Sequence, residues 1–349
     1  MITFEDAFRE AESNGQTSLL LGNGFSMALN QSIFSWASIL ENANLSASQK
    51  KLFSKFETKD FEFIIKLLND ASKLIDIYVK ENFEFCQKIR NDAEEIKRAL
   101  VNAITKNHYN APYDIEYRKY LSCMRFLIRF HKIYTLNYDL LLYWTLMKFR
   151  NGDFGDLSGV LKIDDGFRDK PGEEYVIWKG IYDQSIFYLH GALHLFIGDT
   201  EIKKLTWNRT DITLKEQIES NMKDNYYPMY VSEGSTDEKK GRILRNGYLS
   251  KCFRSIKERK GSLFVFGATL SERDEHIVNE FAVSSTISSM YVGLYGDPDA
   301  ANHQQTKIVC ERAVQNRNEE VLQGRKRVSL KVQYFSSTDM NPWESFDGE

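Results

Sequence analysis

Six short apolar runs constrain the fold of this chain more than any other feature of its sequence. Most are continuous rather than alternating, which is typical of parallel strands buried on both faces of a sheet. The last run does alternate, so we expect it at a sheet edge. Segments of helical composition separate several runs, which predicts an α/β fold with a doubly wound, mostly parallel, Rossmann-like sheet. The runs are Ser18–Leu21, Lys132–Leu136, Ser185–Leu189, Ser262–Phe266, Met290–Leu294 and Val328–Phe335.

Unequal spacing of these runs predicts insertions. Residues 45–110 lack the helix breakers Gly and Pro, and apolar side chains recur at helical spacing after Asp60, a candidate N-cap. We therefore expect a large helical insertion, packed onto the sheet domain by its aromatic side chains: Phe61, Phe63, Tyr78, Phe83 and Phe85. Residues 196–255 are expected to form a second insertion or small subdomain, and the polar tail from Asp339 is expected to fray. The Rossmann-type domain then comprises residues 1–44, 111–195 and 256–338.

Composition excludes several classes of protein. The 349 residues include 46 Lys+Arg and 49 Asp+Glu, and a net charge of −3 gives no overall attraction for nucleic acid or anionic lipid. The four cysteines are far apart and lack CxxC spacing, so we expect buried thiols and no zinc site. No apolar run approaches the roughly 18 residues that span a bilayer, and the polar N-terminus does not resemble a signal peptide. We expect a cytoplasmic protein.

Glycine turns follow the first and fourth predicted strands. After the first, the segment Gly22-Asn23-Gly24-Phe25-Ser26 leads into helical composition, so its backbone N–H groups are candidates to bind an anion. The alternative is a plain tight turn. After the fourth, Gly267 allows close approach of a ligand, and Thr269 and Ser271 supply hydroxyl groups. The alternative there is a helix cap formed by Ser271 and Asp274.

Polar side chains follow the second and third predicted strands. Asn137 offers a donor and an acceptor to a ribose hydroxyl or a water, with Asp139 beside it. The alternative is that either residue caps the next helix. His190 precedes Gly191 at the third strand end and is a candidate general base, with His194 as a stand-in. A lone histidine is more often structural, but this one is the third in a series of polar strand ends.

The four strand ends together resemble the SIR2-like family. Sirtuins carry a glycine loop, a TQNxD motif, a catalytic HG pair and a GTS-type loop, and here GNGFS, TLNYD, LHG and FGATLSERDEH follow in the same order. The segments YPMYVSEGSTDEKKGRI, NGYLSKC and VFGATLSERDEHI more narrowly resemble a bacterial SIR2-like family found in anti-phage defence loci, including the Kongming system. The resemblance covers the strand-bearing half of the chain and leaves the helical insertion uncovered.

The resemblance implies a function and site roles. It implies an NAD+ glycohydrolase that cleaves the nicotinamide–ribose bond and depletes NAD+ during infection, without metal and without the sirtuin zinc ribbon. Catalysis is assigned to Asn137, Asp139 and His190. NAD+ binding is assigned to Gly22, Asn23, Gly24 and Ser26 on the phosphate and ribose side and to Gly267, Thr269 and Ser271 on the adenosine side. We expect an oligomer restrained by a protein partner encoded nearby or by a nucleotide signal. The alternative is a non-catalytic sensor that binds NAD+ or a related nucleotide.

Overall fold

The secondary structure alternates helices and strands along most of the chain. The computed structural model describes residues 1–79, 83–157, 162–180, 183–231, 235–326 and 328–346, so residues 232–234 of the quoted motif lie outside it. The described strands are β1 (Thr17–Leu21), β2 (Lys132–Thr135), β3 (Phe167–Asp169), β4 (Tyr175–Trp178), β5 (Ile186–Tyr188), β6 (Leu195–Ile197), β7 (Ile202–Leu205), β8 (Lys260–Phe266), β9 (Thr286–Leu294) and β10 (Lys331–Ser336). The described helices are α1 (Phe4–Ser13), α2 (Gly24–Leu29), α3 (Gln31–Phe34), α4 (Trp36–Asn42), α5 (Ala47–Lys55), α6 (Phe61–Tyr78), α7 (Phe83–Asn107), α8 (Tyr117–Leu127), α9 (Leu141–Arg150), α10 (Leu214–Lys223), α11 (Thr236–Arg245), α12 (Gly247–Arg254), α13 (Glu275–Asn279) and α14 (Ala301–Leu322).

A six-stranded, all-parallel sheet forms the centre of the fold, in the order β10-β9-β8-β1-β2-β5. Numbered by chain order within this sheet, the strands run 3-2-1-4-5-6 from the β5 edge, which is the Rossmann order. The six apolar runs are thereby confirmed as strands, and the alternating one, β10, lies at an edge. The order reverses between β1 and β8, where a crevice opens at the carboxyl ends of the strands.

Helices cover both faces of this sheet, as the continuous apolar runs predict. All five residues of β1 are buried. Phe264 of β8 contacts Phe8 of α1, with ring centroids 5.6 Å apart. Tyr134 of β2 contacts Phe281, just beyond α13, at 5.2 Å. The four cysteines are all free and buried, which confirms them as core thiols.

The described part of residues 45–110 is helical, with α6 and α7 as its long members. Asp60 is confirmed as the cap of α6, because its Oδ1 accepts a hydrogen bond from the Phe63 N–H at 2.9 Å. The aromatic packing expected there is wrong in part. Phe61 is fully buried, but Tyr78 and Phe83 are 81% and 74% exposed, and Phe85 is exposed as well. These exposed rings lie where α6 ends and α7 begins, beyond the part of the hairpin that the core covers.

A second sheet was not predicted from the sequence. It is antiparallel, with the order β3-β4-β7-β6, and its strands lie on both sides of the expected boundary at residue 196. Its strands have three or four residues each, too few for a periodic pattern to emerge. Across the described stretches of the chain, no helix is long and apolar enough to cross a membrane.

The tail after β10 is packed, so the expectation that it frays is wrong for residues 339–346. Trp343 is buried, and its Nε1–H donates to the Phe25 carbonyl at 2.8 Å. The rings of Trp343 and Phe25 lie 5.0 Å apart. Asn341 Nδ2 donates to the Ala28 carbonyl at 3.1 Å. Trp343, an aromatic side chain with a polar handle, thus helps to anchor the segment beneath α2, and the Phe346 ring packs 5.5 Å from that of Phe126.

Candidate functional site

The crevice at the reversal of strand order is a cavity of about 770 Å³. This volume lies within the range of roughly 300–1,000 Å³ that is typical of small-molecule sites. Parallel strands bring their carboxyl ends to one edge, so residues distant in sequence meet here. All of the predicted site residues except Ser26 line the cavity: Gly22, Asn23, Gly24, Asn137, Asp139, His190, Gly267, Thr269 and Ser271.

The glycine turns after β1 and β8 touch each other along their backbones. The Gly22 N–H donates to the Phe266 carbonyl at 2.9 Å, and the Gly24 N–H donates to the Gly267 carbonyl at 2.7 Å. A Cβ on Gly22 would lie 2.5 Å from the Ala268 Cα, and one on Gly24 would lie 2.6 Å from the Gly267 Cα. These glycines therefore permit the two turns to approach each other closely, whereas the sequence had suggested close approach of a ligand. The predicted anion-binding role loses two of its donors, since both N–H groups are bonded to carbonyls.

Asn137 and Asp139 are joined through Ser26. Asn137 Nδ2 donates to Ser26 Oγ at 2.9 Å, and Ser26 Oγ–H donates to Asp139 Oδ2 at 2.5 Å. Burial raises the pKa of Asp139, and the bonds from Ser26 and the Leu141 N–H oppose this. Ser26 is fully buried behind the cavity wall. It therefore supports the site, and the sequence-based expectation that it contacts the ligand is wrong. The amide of Asn137 is fixed with its Oδ1 left for a ligand.

Asp139 also serves the helix that follows it. Its Oδ1 accepts from the Leu141 N–H at 2.9 Å, as the capping alternative expects, while Asp139 also lines the cavity. His108, at the end of the insertion, accepts from the Leu140 N–H through Nε2 at 3.1 Å. The same turn is thus held from the insertion side, a contact for which the sequence offered no signal.

His190 lines the cavity and is only 3% exposed. Burial, with Lys239 nearby, lowers its pKa to about 3, so its imidazole is neutral and weakly basic at neutral pH. Its Nε2 has no hydrogen-bond partner among the described residues, and its ring stacks on that of His276 at 5.9 Å. The stand-in His194 is fully buried against Tyr143 and does not line the cavity. Of these two histidines, only His190 is placed for a role in the site.

The loop after β8 combines ligand-facing and capping roles. Thr269 is exposed and lines the cavity. Ser271 Oγ accepts from the Arg273 N–H at 3.3 Å and so caps the short turn that precedes α13, which agrees with the capping alternative. Asp274 makes no side-chain cap and instead enters an ion pair with Lys239.

A charged cluster that the sequence did not reveal borders the same cavity. Lys239 of α11 is only 1% exposed, and its Nζ lies 2.7 Å from Glu62 Oε2 and 3.3 Å from Asp274 Oδ1. Glu62 and Asp274 line the cavity. Burial, with Asp274 adding to it and Lys239 opposing it, raises the pKa of Glu62 to about 7. Glu62 and Lys239 are 177 residues apart, and nothing local to either marks the contact.

No group of three or more His, Cys, Asp or Glu side chains suited to holding an ion occurs within the described ranges. The polar groups that line the cavity include the amide of Asn137, the imidazole of His190 and the carboxylates of Asp139, Glu62 and Asp274.

Comparison with known proteins identifies the family. No curated protein matches this chain. A family model described as a domain of unknown function (DUF4917) matches residues 19–343. This match includes both sheets apart from the first two residues of β1, every residue placed above at the cavity and the tail as far as Trp343. The chain therefore belongs to the DUF4917 family.

Proposed function

We propose that this protein is an NAD+ glycohydrolase, as its resemblance to SIR2-like proteins implies. The observation that carries the proposal is that Asn137 and His190, which follow different strands, line one cavity at the reversal of a Rossmann strand order. Dinucleotides bind at this place in Rossmann folds. A cavity of about 770 Å³ has room for such a ligand.

The reaction needs positioning more than acid catalysis. Nicotinamide leaves as a neutral group, so the bond between it and the ribose breaks without a proton donor. Water then bonds to the anomeric carbon and loses one proton. Asn137, held by Ser26, orients a ribose hydroxyl or that water. His190, neutral at neutral pH, accepts a hydrogen bond from a ribose hydroxyl instead of taking a proton outright.

The role in the cell follows from the chemistry and the resemblance. An enzyme that destroys NAD+ harms its own cell, so its resting state is restrained. We propose that it acts in anti-phage defence by abortive infection, and that a partner encoded nearby, a nucleotide signal or self-assembly activates it. Such activation requires only that the activator binds the active state more tightly than the resting state.

A non-catalytic NAD+ sensor is the second candidate, and a single assay separates the two. The purified chain is incubated with NAD+, alone and with the product of the neighbouring gene, and free nicotinamide is measured. We expect release of nicotinamide, lost in Asn137→Ala and His190→Ala. The matched control is His131→Ala, an exposed residue at the opposite end of the strand that leads to Asn137. Binding of NAD+ without release of nicotinamide under every condition would support the sensor and refute the enzyme.

A further inference from the structure

The helical insertion contributes the start of α6 to the cavity wall. Glu62 is the second residue of α6, and its side chain is 16% exposed and lines the cavity. Tyr138, between Asn137 and Asp139 in the chain, places its hydroxyl 3.5 Å from Glu62 Oε1. The insertion therefore brings a carboxylate beside the loop that carries the fixed amide.

The charges around Glu62 leave one carboxylate in excess. Lys239 is shared between Glu62 and Asp274, so a single buried cation faces two carboxylates. The Tyr138 hydroxyl donates at 2.9 Å to the Val231 carbonyl, which leaves Glu62 Oε1 with a weak contact at most. Asp60, the N-cap of α6, is paired with Arg273. Glu62 Oε1 is thus a basic oxygen in a confined space.

The neighbouring histidines do not compete with it for protons. Burial lowers the pKa of His190 to about 3 and that of His276 to about 4, whereas the pKa of Glu62 is raised to about 7. A proton acceptor works best when its pKa lies near the working pH. Burial lowers the basicity of both histidines because it disfavours each imidazolium.

We propose that Glu62 of the helical insertion accepts the proton of the attacking water and that Lys239 positions the Glu62 carboxylate. The inference rests on the proposed NAD+ glycohydrolase. An O–H bond of water breaks as its oxygen bonds to the anomeric carbon, the electron pair of the breaking C–N bond leaves with nicotinamide, and the proton moves to Glu62. Solvent then takes that proton. The insertion thereby completes the catalytic site.

The test compares Glu62→Gln with Asp70→Asn in the full chain, with its partner if activity requires one. Asp70 lies on the same helix in an exposed ion pair with Lys66, so its substitution controls for charge removal from α6. General bases contribute about 10²–10⁴-fold, so Glu62→Gln should lower kcat by roughly 100-fold with KM and NAD+ affinity little changed. The wild type should lose activity as pH falls through about 7, and this acidic limb should vanish in Glu62→Gln. Asp70→Asn should match the wild type.

Two more variants keep the outcome clear. Glu62→Asp retains a carboxylate and should retain the acidic limb at lower kcat. Lys239→Met removes the cation that favours the ionised form of Glu62, so the limb should move to higher pH. A Glu62→Gln enzyme with normal kcat and an unchanged limb would overturn this proposal alone, as would one that fails to bind NAD+. A wild type that never releases nicotinamide would overturn the proposed function and this inference with it.

Discussion

Replacing Gly267 by alanine should separate the two glycine turns that form the floor of the cavity. Gly267 has φ +67°, and a Cβ there would lie 2.7 Å from the Gly24 carbonyl carbon and closer still to the Phe25 nitrogen. Both neighbours are backbone atoms, which cannot rotate away as a side chain could. The turns must therefore move apart, and the bond from the Gly24 N–H to the Gly267 carbonyl is lost.

The expected cost is the sum of three effects. A non-glycine residue in the left-handed region costs about 1–2 kcal/mol. The lost hydrogen bond adds about 0.5–1.5 kcal/mol. Displacement of the backbone adds to both, so we expect a loss of about 2–4 kcal/mol in the free energy of unfolding. That is less than the roughly 5–15 kcal/mol of a typical domain, so the protein should fold with a damaged cavity.

Gly324→Ala is the matched control. Gly324 has φ +71°, and a Cβ there would meet nothing within 4 Å, so this variant isolates the cost of the left-handed conformation. Urea denaturation gives both free energies, and NAD+ cleavage gives the effect on the site. We expect Gly267→Ala to lose at least about 1 kcal/mol more than the control and most of its activity. Equal losses in the two variants, within about 0.5 kcal/mol, would refute the argument from backbone contact.

Three further predictions concern groups around the cavity. Ser26→Ala should lower the free energy of unfolding by about 1–3 kcal/mol in urea denaturation and impair cleavage, since it strips a buried partner from Asn137 and Asp139; an unchanged protein would contradict the hydrogen-bonded chain. Trp343→Ala should cost about 3–5 kcal/mol by the same assay, and Trp343→Phe much less; equal losses would show that the ring contact with Phe25 contributes little. Melting temperature should fall as pH is lowered from about 6.5 towards 4, because buried histidines that stay neutral in the fold take up protons on unfolding, at about 1.4 kcal/mol per pH unit for each proton. Glu62 and Asp139 act in the opposite sense, since their raised pKa values favour the fold at low pH, but they are two groups against four histidines; a melting temperature that rises on acidification would contradict the balance. The buried histidines whose pKa values burial lowers are His108, His190, His194 and His276.

The sheet could be predicted because each of its strands carries its own signal. A strand buried on both faces, such as β1, must be apolar throughout, and the turn at its end must accept tight backbone geometry. The second sheet has no such signal, because strands of three or four residues do not complete a pattern. The tail misled for a related reason. Its composition is mostly polar, and a few apolar side chains, chiefly Trp343, determine that it packs.

The candidate site likewise contains residues that the sequence could predict and residues that it could not. Asn137, Asp139 and His190 could be predicted because parallel strands place their carboxyl ends together whatever the loops do. Glu62 and Lys239 could not, because their contact depends on how an insertion folds back across 177 residues of chain. On the sequence alone each is an ordinary charge on a helix surface. The role of Ser26 was misjudged because sequence shows which residues are near a turn but not which of them face the ligand.

The anchoring of the tail beneath α2 has a consequence for how the protein is made. Trp343 donates to the Phe25 carbonyl, and Asn341 donates to the Ala28 carbonyl. Helix α2 is thus stabilised by residues that are synthesised more than three hundred positions later. A growing chain on the ribosome lacks this support until Trp343 has emerged. Fragments released by interrupted translation lack it permanently. The order of synthesis therefore delays the finished cleft until nearly every other part of the fold is in place.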